Sequence, residues 1–405
     1  MAGRGEYLMM VTNELIGEVM AIEGQLVSWR RHLHQYPELS FQEYQTADFV
    51  AEKLKEIEGV SVQEHIANTG IVATISAGEG KTVAIRADMD ALPIMEKNQH
   101  SFVSKNPGVM HACGHDAHTA ILLGTAKILA EKAREGLFQG TIKLIFQPAE
   151  EATDHEGLSG APRMIQEGVL ENVESIIALH MCPWEPVGTI QMNDGYSMAN
   201  VDVFHGKIKA TGGHSGYPHL GTDPIWMLGS FLQAFYGIIS KKISALDTAV
   251  ASIGQIQTGT ASNIIPEEVS ITGTLRSYSP EVRDQLAKEV EQAFKVVEPF
   301  GGSYTFVVER GEPALNNDRE VNEVIRNAAT ELYPELKIVQ KPFGLGGEDF
   351  GYMTRQIPGA MFFLGCAMQD GILRDLHTNT FDIDERCLPM GVSILAASAL
   401  RLLKQ

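Results

Sequence analysis

Cysteine is scarce in this sequence: four occur in 405 residues, at Cys113, Cys182, Cys366 and Cys387. So scattered a set builds no disulfide framework, and a reducing, cytoplasmic setting suits it best. Positive charge is also short. Lys and Arg number 32 against 51 Asp and Glu, a formal net charge of -19. A chain this acidic, without a polybasic patch, is unsuited to nucleic acid or to a membrane surface. No apolar run approaches the ~20 residues of a membrane span. The run Leu8-Met9-Met10-Val11 gives way at once to Thr12, Asn13 and Glu14, so no signal-peptide core is expected. Internal repeats and low-complexity linkers are missing as well. The turn Gly344-Leu345-Gly346-Gly347-Glu348 lacks the Lys-Ser/Thr ending and the dinucleotide spacing, which excludes a phosphate loop. What remains is 44% hydrophobic and 20% charged, enough for substantial cores in about two domains.

Chemistry is densest in Met110-His111-Ala112-Cys113-Gly114-His115-Asp116-Ala117-His118-Thr119. The stretch follows Pro107-Gly108 and runs into the apolar segment Ala120 to Ala130, which reads as a loop feeding a helix with Asp116 or Thr119 as its cap. Cys113 and His115 sit two apart around a glycine and can face one metal ion; thiolate and imidazole suit zinc and similar divalent ions. Taken alone, the pair is also compatible with a packed thiol and a structural histidine.

Periodicity predicts helices from Glu14 to Leu33 and from Thr46 to Ile57, then strands at Val60–His65, Ile71–Ile75 and Thr82–Arg86. The third strand ends in Asp88-Met89-Asp90. Further strands are expected at Thr141–Phe146, leading into Gln147-Pro148-Ala149-Glu150-Glu151, and at Ser175–Leu179, ending at His180. A short helix, Ala161–Gln166, lies between them. The alternation predicts an α/β domain with a mostly parallel sheet flanked by helices, its polar groups at strand ends. From Val201 to Val308 the order becomes β-α-β-β-α-β, a ferredoxin-like unit inserted into the first domain. The expected division is 1–192 with 306–405 for the outer domain and 193–305 for the insert. A helix over Asp318–Leu332, a buried strand over Ala360–Leu364 and a terminal helix over Asp384–Lys404 complete the outer domain.

Cys113-Gly114-His115-Asp116, Gln147-Pro148-Ala149-Glu150-Glu151, Gly212-Gly213-His214-Ser215, Gly347-Glu348-Asp349-Phe350 and Leu376-His377-Thr378 occur in the order found in M20 metallopeptidases. The chain resembles that family from about Trp29 to its terminal helix. Within the family it looks most like the N-acyl-amino-acid amidohydrolases: aminoacylases, hippurate hydrolases and auxin-conjugate hydrolases. The resemblance implies a two-metal catalytic domain with an inserted lid that dimerises. It implies Cys113, His115, Glu151, His180 and His377 as metal ligands, Cys113 as the bridge, and Glu150 as general base. It implies His214 as an oxyanion donor reaching the partner's site, and Asn263 with Arg276 as the clamp on the substrate α-carboxylate. Many members have His-x-Asp where this chain has Asp88-Met89-Asp90, so Asp88 and Asp90 are expected behind the ligands, orienting a histidine.

The residues carry part of this themselves. Along Ser270 to Ser277, Arg276 shares a face with Ser270, Thr272 and Thr274, away from Ile271 and Leu275, and a forked guanidinium suits a carboxylate. Adjacent Glu150 and Glu151, if extended, point oppositely, one toward metal and one toward water. His219 reads as a surface residue. The reading is a metal-dependent amidohydrolase of N-acyl-L-amino acids with two divalent ions per subunit: zinc first, with manganese, cobalt or nickel as alternatives. A homodimer or a dimer of dimers is expected. The alternatives are a dipeptidase or aminopeptidase on the same scaffold, a hydrolase of benzoyl or indoleacetyl conjugates, and a metal-binding protein without catalysis.

Overall fold

The structure, a computed structural model, describes residues 14–372 and 374–404. The apolar run at 8–11 lies outside the described residues. In chain order the elements are α1 (Glu23–Gln35), α2 (Tyr44–Lys55), β1 (Val60–Ile66), β2 (Gly70–Ser76), β3 (Thr82–Asp88), α3 (His115–Arg134), β4 (Thr141–Gln147), α4 (Gly160–Gln166), β5 (Ser175–Pro186) and β6 (Thr189–Met192). The next group is β7 (Asn200–Lys209), α5 (Pro224–Lys242), β8 (Ala249–Thr258), β9 (Glu268–Ser277), α6 (Pro280–Lys295) and β10 (Ser303–Arg310). The chain closes with α7 (Arg319–Leu332), β11 (Lys337–Gln340), α8 (Phe350–Thr354), β12 (Gly359–Ala367) and α9 (Cys387–Leu402).

Two compact units emerge. One comprises 1–195, 316–343 and 349–405; the other comprises 196–315 with 344–348. The expected boundary at 305/306 is therefore corrected: it falls inside β10, which is hydrogen-bonded along its length to β7. A strand cannot leave a sheet midway without stranding backbone donors and acceptors, so the unit runs on to Leu315.

The first unit is built on an eight-stranded sheet of order β1-β2-β4-β3-β5-β12-β6-β11. Its centre, β4-β3-β5-β12, is parallel throughout. β1, β2 and β4 pair antiparallel, as do β12 and β6. The sheet is thus mixed, with its parallel block in the middle, where helices cover both faces. Helix α3 is buried almost all round and packs against α1 and α9. Ile22 interrupts the expected long first helix: residues 14–21 are helical, and α1 starts afresh at Glu23. No helix among the described residues is long and apolar enough to cross a membrane.

The second unit is a four-stranded antiparallel sheet, β8-β9-β7-β10, in the order expected of a β-α-β-β-α-β unit. Strand β9 alternates half-buried and buried positions. Its buried side joins Phe204, Phe231, Phe235 and Phe294 in a core of its own. Helix α5 begins with Pro224 behind an Asp223 cap that accepts from the Ile225 and Trp226 amides, which fixes its start without a further partner.

Candidate metal centre

The centre is assembled at the C-terminal ends of the parallel strands. After β3 the chain carries Asp88 and Asp90, and after β4 it turns sharply. Ala149 adopts φ 48°, a left-handed conformation that costs a non-glycine residue on the order of 1 kcal/mol. The surroundings hold it there. The Ala149 amide donates to Glu43 Oε1 at 2.8 Å and its carbonyl accepts from the Gly160 amide at 2.8 Å. A Cβ on Gly160 would lie 1.6 Å from the Pro148 oxygen, so only glycine fits at 160. Burial, then Asp90 nearby, lifts the Glu43 carboxyl to about 7.

This bend corrects the expectation that Glu150 and Glu151 point oppositely. The segment is bent, and carboxylate oxygens of both residues lie within 4.8 Å of each other and of a His115 nitrogen. The Glu151 amide donates to Asp90 Oδ2 at 2.9 Å, which fixes the turn from the other side.

The cluster loop enters α3 through Gly114 at φ 92°, where a Cβ would come within 2.7 Å of Met181 Cγ. Glycine is required there for conformation and for space. Gly114 itself takes the N-cap position with no side-chain cap, so neither Asp116 nor Thr119 caps the helix. Asp116 is drawn inward by the Arg30 guanidinium at 2.8 Å and His34 at 2.7 Å, while the Thr119 hydroxyl donates to the Asp88 carbonyl at 2.9 Å. Both are committed to the buried network beneath the loop.

Six of the expected side chains converge. One ligand trio is Cys113, His115 and His180; another is Cys113, Glu151 and His377; a third is His115, Glu150 and Glu151. Cys113 belongs to two of them. Its Sγ stands 3.4 Å from His180 Nε2, and His377 Nε2 stands 3.3 Å from Glu151 Oε1. The His377 loop arrives from the far C-terminal segment, and its backbone amide donates to the Ala112 carbonyl at 2.8 Å. His180 lies within β5 rather than at its end, because the strand continues to Pro186 along β12.

Each imidazole is held by one nitrogen. His115 Nδ1 faces the Asp90 carbonyl at 2.9 Å and its Oδ1 at 3.2 Å. His180 Nδ1 donates to the Met181 carbonyl at 2.8 Å. Both therefore present Nε2 to the centre, as a metal-binding histidine steered by an outer acceptor does. His115 Nε2 is buried and has no hydrogen-bond partner. A buried nitrogen without a partner is costly unless a cation meets it.

The electrostatics agree with a cation site. Burial alone would push the His115 pKa down, but Asp88 and Asp90 hold it up to about 10. A proton on that ring stands where a metal would otherwise supply the charge. Burial, then Glu151, Glu150 and Asp88, pushes the Cys113 thiol well up; thiolate character there requires nearby positive charge. Burial and the His118 ring push His180 well below the usual imidazole range, leaving it a neutral ligand. This donor set fits two divalent cations sharing a thiolate.

Residues singled out less sharply in the sequence support the site from behind. His118 is fully used: Nδ1 donates to Asp88 Oδ1 at 2.6 Å, and Nε2 accepts from the Met181 amide at 2.9 Å. Arg86 donates to Asp88 Oδ2 at 2.6 Å, to Gln147 at 2.9 Å and to Asp349 Oδ1 at 2.8 Å. Asp349 Oδ2 also accepts from Ser159 Oγ and the Ala161 amide. An arginine inside the apolar run Val83-Ala84-Ile85 was the signal for this network. A further trio, His34, Glu96 and His100, lies away from the centre. Both nitrogens of His34 are taken, by Asp116 at 2.7 Å and Glu96 at 3.2 Å.

The remaining expected residues belong to the second unit. Gly213–His214 pairs with Ile264–Ile265, and the Ser215 amide donates to the Asn263 carbonyl, so His214 and Asn263 lie side by side. His214 is exposed, and its Nδ1 accepts from the Gly216 amide at 2.9 Å. Arg276 is half-buried on the polar side of β9 and donates to the Leu345 carbonyl at 2.6 Å. His219 is exposed in a short turn, Pro218–Leu220.

Comparison with known proteins follows the same lines. The family model described as peptidase family M20/M25/M40 matches residues 84–401, and the chain belongs to that family. It is 39% identical over 387 residues to an N-acetyl-L-cysteine deacetylase of Bacillus subtilis, spanning 94% of this chain and 89% of the relative. It is 35% identical over 386 residues to IAA-amino acid hydrolase ILR1-like 4 of Arabidopsis thaliana, spanning 93% and 86%. Among solved structures, the Bacillus subtilis YXEP protein, described as a dinuclear metal binding peptidase from the M20 family, superposes with a TM-score of 0.82. Identity is 33%, with 95% of this chain and 99% of that one covered.

Proposed function

We propose that this protein hydrolyses the amide bond of N-acyl-L-amino acids, giving a carboxylate and a free amino acid, with two divalent metal ions in each subunit. The observation that carries the reading is the shared thiolate: Cys113 stands in two ligand trios at once, with Glu150 beside them. The relatives named above, a deacetylase of an N-acetyl amino acid and a hydrolase of amino-acid conjugates, support the same bond. Zinc suits the Cys and His donors best, with manganese, cobalt and nickel as substitutes. The four buried free cysteines fit a reducing cytoplasm.

The ligands are Cys113, His115, Glu151, His180 and His377, with Asp88 and Asp90 steering from behind. When bound, the metals polarise the scissile carbonyl and lower the pKa of the attacking water. Glu150 takes the proton from that water and delivers it to the leaving amine. Its acidic neighbour Glu151 is occupied as a ligand, which leaves the two carboxylates distinct tasks. Because Nδ1 of His214 accepts a backbone hydrogen bond, the proton of a neutral His214 ring sits on Nε2, free to donate to the oxyanion.

The units 1–195, 316–343 and 349–405 form the catalytic domain in this reading, and the inserted unit is the lid. The lid exposes Trp226, Tyr236, Leu246 and Val307, more large apolar side chains than an isolated domain leaves bare; a homodimer through this unit covers them. His214 then serves the partner's site. Glu150→Gln and His214→Ala homodimers should each be nearly inactive, whereas refolding them together should restore up to about a quarter of wild-type activity, since half the chains would be mixed and each mixed dimer has one intact site. Mixed dimers without activity would place His214 in its own subunit.

Arg276 and Asn263 hold the substrate α-carboxylate. Arg276→Ala should raise KM for N-acyl-amino acids roughly ten- to a hundredfold, the scale of a lost charge-assisted hydrogen bond. Amides lacking the α-carboxylate should change far less. The decisive experiment is a panel of N-acyl-amino acids, free dipeptides and simple amides on metal-quantified protein. Preference for free dipeptides would replace this reading with a dipeptidase.

A further inference from the structure

Beside His180 the first unit carries a ladder of aromatic rings that neither the metal centre nor the carboxylate clamp uses. Phe363 on β12 is paired directly across from His180 on β5, so both side chains emerge on one face of the sheet. Phe343 lies on Phe363 with ring centres 3.8 Å apart and planes 8° from parallel. Trp184 lies on Phe343 at 4.9 Å and 29°. The His180 ring is 5.7 Å from Phe343 and 6.1 Å from Phe363. Exposure rises along the ladder: Phe363 is fully buried, Phe343 half-buried and Trp184 43% exposed.

That gradient separates the ladder from core packing. A core ring gains by being covered, whereas Trp184 sits just where β5 emerges from burial, with Phe343 as its single ring partner among the described residues. Stacked rings stepping outward from a metal-ligand histidine form a flat apolar wall. A carbonyl carbon polarised beside His180 Nε2 places its own substituent against that wall. The other side of the scissile bond bears the α-carboxylate, which the clamp residues of the second unit take in the function proposed above. The wall is left for the acyl group.

We infer that Trp184 and Phe343 form an acyl-binding subsite selective for planar aromatic acyl groups, such as benzoyl, over acetyl; the inference rests on the amidohydrolase reading above. The relatives divide on this point. One is named for an N-acetyl substrate and another for IAA conjugates, so family membership leaves the acyl group open. The wall supplies a physical reason for one side: offset stacking adds to area burial for an aromatic guest and offers an acetyl group almost nothing.

The test compares N-benzoylglycine with N-acetylglycine on the metal-loaded enzyme. Wild type should favour the benzoyl substrate in kcat/KM. Trp184→Ala and Phe343→Leu should each lower the benzoyl-to-acetyl ratio roughly tenfold, mainly through KM, and Trp184→Phe should restore most of it. Equal losses on both substrates, or a wild type that prefers acetyl, would overturn the subsite while leaving the amidohydrolase intact. A calorimetric titration with benzoate and acetate gives a readout independent of turnover. If no N-acyl amino acid is hydrolysed yet benzoate binds in a Trp184-dependent manner, the wall stands and the proposed reaction falls. If benzoate binds no better than acetate, the wall is wrong whatever the reaction.

Discussion

Glu150→Gln should lower kcat about a thousandfold, within the span typical of general acid–base catalysis, and leave the metal content at two ions per subunit. Glutamine matches glutamate in size and retains a carbonyl acceptor, so the bend after β4 keeps its geometry. The Ala149 amide stays bound to Glu43 and the Glu151 amide to Asp90, and both bonds lie outside the substituted group. What disappears is the capacity to accept a proton from water and return it to the amine. Elemental analysis beside steady-state kinetics checks both halves. Because the two carboxylates converge near one His115 nitrogen, Glu150 is also a candidate ligand on distance alone. Loss of a metal ion in Glu150→Gln would exchange its role with that of Glu151.

Cys113→Ala should lose at least one of the two metal ions and reduce activity by a similar factor of a thousand or more. The thiol is the donor common to both ligand trios, and its removal leaves His115 with His180 on one side and Glu151 with His377 on the other. Two ligands each are a poor match for tetrahedral zinc. The fold should survive, since a buried cysteine behaves as a small apolar side chain and alanine leaves only a small gap. Thermal unfolding in the presence of a chelator separates the two effects. Wild type stripped of metal and the alanine variant should melt at similar temperatures, while only wild type should gain stability when metal is restored. An alanine variant that keeps two ions and full turnover would reduce Cys113 to a packed thiol.

The parts of the molecule that repeat with a period are readable from the amino acids. Alternation along β7 and β9, and the spacing of apolar residues in α5 and α6, define the inserted unit. Edges were harder. β6 and β11 have four residues each, too few for a pattern to stand out from a loop, and the end of the insert was misplaced within β10. At the site, local spacing pointed to Cys113 with His115 and to Glu150 with Glu151. His377 lies hundreds of positions from these residues, and only the ordered motifs of the family connected it. The convergence of the two glutamates depends on the left-handed Ala149, held by Glu43 and Gly160 from distant segments. Nothing in the identity of an alanine announces that conformation. Arg86 and Asp349 meet across most of the chain, so the pairing that supports Asp88 was not legible either, although an arginine amid Val83, Ala84 and Ile85 asked for a partner.

The placement of β12 has a consequence for synthesis on the ribosome. β5 carries His180 and pairs with β3 on one side, and its other side is closed by β12, which is translated only after the whole insert. Until residue 367 has left the exit tunnel, an apolar strand with open hydrogen-bonding groups stands at the rim of a half-built sheet, the feature that invites intermolecular pairing. His377 follows later still. A nascent chain can therefore present Cys113, His115, Glu151 and His180 but not the last donor, so stable metal capture belongs to the released polypeptide, and truncated translation products should be both metal-poor and prone to aggregate.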